Sequence, residues 1–94
     1  MLTHKKIENA VKKVSVHFPI TKVAYFGSYA NGNATAQSDL DLLIEFEERD
    51  VSLLTLIGFK QQIEDELGVK VDVVHSPVPQ SAIINIKKEV YVYG

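Results

Sequence analysis

Asp39 and Asp41 are separated by one residue in the stretch Ser38-Asp39-Leu40-Asp41-Leu42-Leu43-Ile44-Glu45-Phe46. In an extended strand alternate side chains share a face, so these two carboxylates project together with α-carbons ~6.6 Å apart. Leu40, Leu42, Ile44 and Phe46 fall on the opposite face, which is the pattern of a strand with one side in a core. Two carboxylates held this close repel each other and raise the pKa of one of them. A divalent cation turns the same oxygens into a hard ligand pair suited to magnesium or manganese. A third acid, Asp72, stands in Val71-Asp72-Val73-Val74, with Val71 and Val73 on the other parity. If the two strands are neighbours, ~4.8 Å apart, Asp72 lies beside the aspartate pair on the same face. Three acids so grouped suit two metal ions ~3.5–4 Å apart, the arrangement used for in-line displacement at phosphorus.

Upstream, Gly27-Ser28 follows the apolar run Val23-Ala24-Tyr25-Phe26. A glycine lets a phosphate approach the main chain, a helical start behind it offers free N–H groups, and the serine hydroxyl adds a donor. Each feature alone also occurs as an ordinary turn or solvated face; their order and matching parity give them meaning together. Glu45 shares the parity of the aspartates and reads as a strand-end carboxylate or a support for them. His4, His17 and His75 are too scattered for a local metal motif.

Positioning these groups requires strands and helices in a set order. Ile7, Ala10, Val11, Val14 and Phe18 recur at helical spacing among lysines, predicting an amphipathic helix over residues 4–17 with Thr3 as N-cap. A strand over 23–26 leads into a loop with a helical turn at 28–31, and a second strand spans 40–46. Ser52 caps a helix with Leu53, Leu56, Ile57, Ile63 and Leu67 inward, ending at Gly68. A third strand covers 69–75, and a last helix covers 80–90 ahead of the Tyr91-Val92-Tyr93 tail. The order α-β-α-β-α-β-α predicts an α/β (α+β) fold, a small three-stranded mixed sheet with helices packed on it. The strands joined by the helix over 53–67 are expected to be parallel neighbours.

The chain has 94 residues, no cysteine and a formal net charge of −2. That length fits one domain, 1–94, able to bury roughly 64% of its unfolded surface. The lack of cysteine excludes disulfide scaffolds, thiolate metal sites and cysteine nucleophiles. No apolar run is long enough for a membrane span and no signal-peptide pattern opens the chain, so a cytoplasmic protein with no membrane partner is expected. Charge is segregated: residues 1–22 carry +4, residues 23–38 none, and residues 39–50 carry six carboxylates against Arg49. The balance argues against direct nucleic-acid binding. Lys5, Lys6, Lys12 and Lys13 read as a solvated helix face.

Gly27-Ser28-Tyr29-Ala30-Asn31-Gly32, followed by Ala34 and Ser38-Asp39-Leu40-Asp41, resembles the GSxAxG…SDxD signature of the nucleotidyltransferase superfamily related to DNA polymerase beta. Asp72 falls where that family places its third carboxylate. The small size, the Lys87-Lys88-Glu89-Val90 segment and the aromatic tail narrow the resemblance to the minimal nucleotidyltransferases. It implies a prokaryotic antitoxin that uses ATP and magnesium to transfer AMP onto a tyrosine of a HEPN-domain toxin. On that likeness Asp39, Asp41 and Asp72 are catalytic and ligate the metal, two magnesium ions or manganese, with Asp72 also helping to activate the attacking hydroxyl. Gly27, Ser28 and Ser38 would bind the nucleotide. The chain departs from the pattern at Tyr29 and Asn31, where the family often carries arginine. Lys22, Lys70 or a cation supplied by the toxin are candidate replacements for the missing positive charge. The alternative implied is an antitoxin of weak catalysis that neutralises its toxin by steric binding.

Overall fold

The structure, a computed structural model, describes residues 2–47, 50–75 and 88–94. In chain order the elements are α1 (His4–Ser15), β1 (Ile20–Phe26), α2 (Ser28–Asn31), β2 (Leu40–Phe46), α3 (Leu53–Leu67), β3 (Val71–His75) and β4 (Val90–Tyr93).

Helix α1 starts where expected. Thr3 Oγ1 accepts a hydrogen bond from the Lys6 N–H at 3.2 Å, satisfying one of the free donors of the first turn. Ile7, Ala10, Val11 and Val14 are buried while the lysines point outward, and Lys12 and Lys13 in the last turn oppose the negative end of the helix dipole. Helix α3 is capped by Ser52, whose Oγ accepts from the Thr55 N–H at 3.1 Å, and it ends at Gly68 in the left-handed conformation. Ile63 is buried and Leu56 and Leu67 pack against the core as expected, while Leu53 and Ile57 are not inward and Phe59 is. Phe59 and Ile63 are the buried residues, while Leu53 and Leu54 are 69% and 82% exposed and Ile57 is exposed too. The run Leu53-Leu54-Thr55-Leu56-Ile57-Gly58-Phe59 is apolar nearly all round, so periodicity there does not choose a face. Packing chooses it: Phe59 meets Phe18 edge-on, with ring centroids 5.5 Å apart at 88°.

The expected three-stranded sheet is a four-stranded one, in the order β3-β2-β1-β4. Strand β1 is antiparallel to both β2 and β4, and β2 and β3 are parallel. The fourth strand comes from the tail. Lys88 and Glu89 are not helical, and Val90 belongs to β4 rather than to a closing helix; the rest of that expected helix, 80–87, lies outside the described residues. Val90-Tyr91-Val92-Tyr93 is built of β-branched and aromatic residues, and β1 offers it an antiparallel backbone ladder with a bulge between Val23 and Ala24.

One sheet face is the core. Val23, Tyr25, Leu40, Leu42, Ile44, Phe46, Val71 and Val92 pack with Ile7, Val11 and Val14 of α1 and Phe59 and Ile63 of α3. Tyr25 keeps a polar partner at the margin: its hydroxyl lies 2.8 Å from His4 Nδ1, and burial pushes the phenol pKa up. Ser15 Oγ is fully buried with no partner among the described residues. No described helix is long and apolar enough to cross a membrane.

Two stability outcomes follow from this packing. Phe59→Ala should lower the unfolding free energy by about 3–5 kcal/mol, because the site is walled by helix and sheet and cannot collapse. Ser15→Ala should raise it by about 1 kcal/mol by removing an unpaired hydroxyl. Urea unfolding of the two variants beside the parent chain checks both.

Candidate active site

The opposite sheet face carries the acids. The parallel ladder between β2 and β3 sets Leu40 against Val71, Asp41 against Asp72 and Leu42 against Val73. Directly opposed residues share a face, so Asp72 stands beside Asp41 at the strand spacing of ~4.8 Å. Asp39 precedes Asp41 by two positions and enters from the same side. All three sequence-singled aspartates therefore gather on one face, at the end of the sheet where β2 begins. Asp39 and Asp41 are half-buried and Asp72 is exposed.

On the other flank Phe26 is paired with Asp41, which brings the end of β1 and the turn behind it onto the same spot. Gly27 has φ 72 and ψ −144, a conformation that L side chains rarely adopt. There is also no room for a side chain: a Cβ built on Gly27 would overlap Asp41 Oδ2 and stand 3.3 Å from its Cγ. The glycine is thus required twice, by its backbone conformation and by the carboxylate lying against it. Its carbonyl accepts from the Asn31 N–H at 2.9 Å, starting α2, and Gly32, in the left-handed conformation, closes the turn onto the Ser28 carbonyl. Ser28 is half-buried at the first position of this turn.

The carboxyl of Asp41 is held above the usual aspartate range. Burial is the largest cause, followed by the like charges of Asp72 and then Asp39. A site of three acids, one of them reluctant to ionise, is short of positive charge, and its donor set is that of a hard cation such as magnesium. Among the described residues no group of three His, Asp or Glu side chains closes on one point at ligating distance. The three acids fit a divalent ion in the chemistry of their oxygen donors.

Ser38 Oγ accepts from the Thr35 N–H at 2.8 Å and lies 3.3 Å from Thr35 Oγ1, so its hydroxyl ties down the loop that delivers Asp39. Glu45 lies opposite Lys22, far along β2 from the acids. Sequence reasoning missed Glu64. Its Oε2 accepts from the Val71 N–H at 2.9 Å, while the Leu40 N–H donates to the Lys70 carbonyl at 2.9 Å. The second bond ties the start of β3 to β2 and the first ties it to α3, which together hold Asp72 level with Asp41. A glutamate one turn before a helix-ending glycine gives no sign of that duty in sequence.

Residues 5–94 match the nucleotidyltransferase domain family. The chain belongs to that family. Across 98 aligned residues it is 36% identical to the protein adenylyltransferase MntA of Thermococcus cleftensis, covering 98% of both proteins. Its fold is shared by a crystal structure of a toxin–antitoxin with AMP-PNP, at TM-score 0.78 and 19% identity, over 93% of this chain and 73% of that one. A tri-AMPylated Shewanella oneidensis HEPN toxin in complex with an MNT antitoxin also aligns, at TM-score 0.72 and 16% identity, over 98% of this chain and 73% of that one. The chain is a minimal nucleotidyltransferase, an enzyme whose sheet face of three acids and glycine turn occupy the positions that the sequence motif marked.

The raised pKa of Asp41 makes a stability prediction. A group whose folded pKa exceeds its unfolded value favours the folded state when protonated, and that contribution fades as pH rises through the folded pKa. The metal-free chain should therefore lose stability between pH ~3.9, the ordinary aspartate value, and neutrality. Asp41→Asn should remove that part of the slope and raise the melting temperature at neutral pH. Thermal melts over this range, with chelator present, measure both.

Proposed function

We propose that this nucleotidyltransferase is an antitoxin that transfers AMP from ATP to a tyrosine of a cognate HEPN-family toxin, with magnesium as cofactor. The observation that carries the reading is Asp41 in register with Asp72, two positions from Asp39 and pressed against the Gly27 turn. The name of the Thermococcus cleftensis relative, protein adenylyltransferase, supports AMP transfer to a protein, and the toxin–antitoxin complexes of the same fold support a toxin as the acceptor.

Asp39, Asp41 and Asp72 would hold the magnesium ions, which when bound supply positive charge at the reacting and leaving phosphates. The Gly27-Ser28 turn, with Ser38 behind it, seats the triphosphate. The tyrosine oxygen attacks the α-phosphorus, the bond from that phosphorus to the bridging oxygen breaks, and pyrophosphate leaves. On this reading Asp72, exposed on the outer of the two strands, accepts the phenolic proton from an acceptor that brings its own surface. Catalysis of this kind is positioning and electrostatics more than covalent chemistry. The cytoplasm, where ATP and a HEPN-family toxin meet, is the compartment this reading implies.

A second reading is favoured by Tyr29 and Asn31, which leave two positions of the turn without charge. On it, the chain neutralises the toxin by steric binding with weak catalysis.

Labelled ATP, magnesium, the chain and its toxin separate the readings. The first expects label on a toxin tyrosine, a loss of at least ~100-fold in Asp41→Ala, and no transfer in chelator. Absence of label from the parent chain, with toxin still neutralised by Asp39→Ala/Asp41→Ala in cells, would establish the second.

A further inference from the structure

The register that aligns the acids also brings a cation to them. The ladder begins with Leu40 opposite Val71, so Asp39 and Lys70 are the residues that lead into it on the two strands. The Leu40 N–H to Lys70 carbonyl bond at 2.9 Å fixes that adjacency. Side-chain alternation continued back from Asp72 puts Lys70 on the carboxylate face, ~4.8 Å in the strand-spacing direction from Asp39. Its backbone is clamped on both sides, by Leu40 at its carbonyl and by Glu64 at the next amide. Lys70 itself is exposed. Among the described residues the ion pairs join Glu8 with His4, Lys5 and Lys12, and Lys13 with Glu66; none engages Lys70. A lysine whose backbone leads into the row of acids, and which is in none of these ion pairs, is available to a ligand that carries more negative charge than the acids do.

Lys22, the other lysine considered as a replacement, is placed differently. It is opposite Glu45, which lies four residues along β2 from Asp41, a separation of ~13.6 Å at 3.4 Å per residue. The two candidates that sequence left equal are thus distinguished by register alone.

We propose that Lys70 is a nucleotide-binding residue that contacts a phosphate oxygen of the bound triphosphate, providing the positive charge that Tyr29 and Asn31 do not. The inference rests on the adenylyltransferase reading and deepens it by naming a further residue of the same site. A lysine acts here as a movable point charge on a four-carbon stem, so arginine can replace it in charge while methionine keeps only the stem.

The test is calorimetric binding of a non-hydrolysable ATP analogue with magnesium to the parent chain and to Lys70→Met, Lys70→Arg and Lys22→Met. Lys70→Met should weaken binding about ten- to a hundredfold, the equivalent of one charge-assisted hydrogen bond, and Lys70→Arg should restore most of it. Lys22→Met should bind like the parent. Salt should weaken binding less steeply in Lys70→Met than in the parent, since one charge fewer meets the phosphates, a change that a merely structural role would not produce. Equal affinity in Lys70→Met and parent, or an equal loss in Lys22→Met, overturns the assignment. A parent chain that transfers AMP while position 70 proves indifferent overturns the inference and leaves the function standing. A parent chain that neither binds the analogue nor transfers AMP overturns both.

Discussion

Like charge crowded against a glycine is the constraint on which this molecule turns. Asp41 is half-buried, flanked by Asp72 across the ladder and by Asp39 along its own strand, and pressed against Gly27 from the neighbouring turn. Removing a carboxylate from water is costly, and setting others beside it adds to the cost. Such a cluster persists only because the surrounding structure over-determines it. The other face of the same strand supplies the means: Leu40, Leu42 and Ile44 are fully buried, so β2 is held by its apolar side while its acidic side is left in conflict.

The sheet topology converts that anchoring into a site. Helix α3 carries the chain back so that β3 runs parallel to β2, and the bonds from Leu40 to Lys70 and from Val71 to Glu64 set the register. A slip of one residue would turn Asp72 into the core and Val71 out of it. Parallel neighbours cannot be joined by a tight turn, so this alignment depends on a helix of the right length and phase. Phe59 and Ile63, the buried residues of α3, therefore serve the chemistry at a distance by fixing where β3 begins.

Charge segregation along the chain acquires a purpose in three dimensions. The lysines of α1 lie on the outer side of a helix packed on the core face, and Glu8 answers two of them. The acids lie on the other face, with the uncharged turn from Gly27 to Gly32 beside them.

Much of this was legible in the residues. The parity of 39, 41 and 72 against their leucines and valines assigned the acids to one face, and caps at Thr3 and Ser52 marked helix starts, because these signals act over a few residues. The fourth strand was not legible: Val90-Tyr91-Val92-Tyr93 pairs with β1, some seventy residues earlier in the chain, and local preference does not name a distant partner. The inward face of α3 was legible at Leu56, Ile63 and Leu67 but not in its first turns, since an apolar run offers no phase until Phe18 selects Phe59. Residue types and their alternation thus determined which chemistry this chain carries. Long-range register alone decided which groups meet: that Asp72 stands level with Asp41 and that Gly27 touches that carboxylate, because register is a property of paired strands and not of either strand by itself.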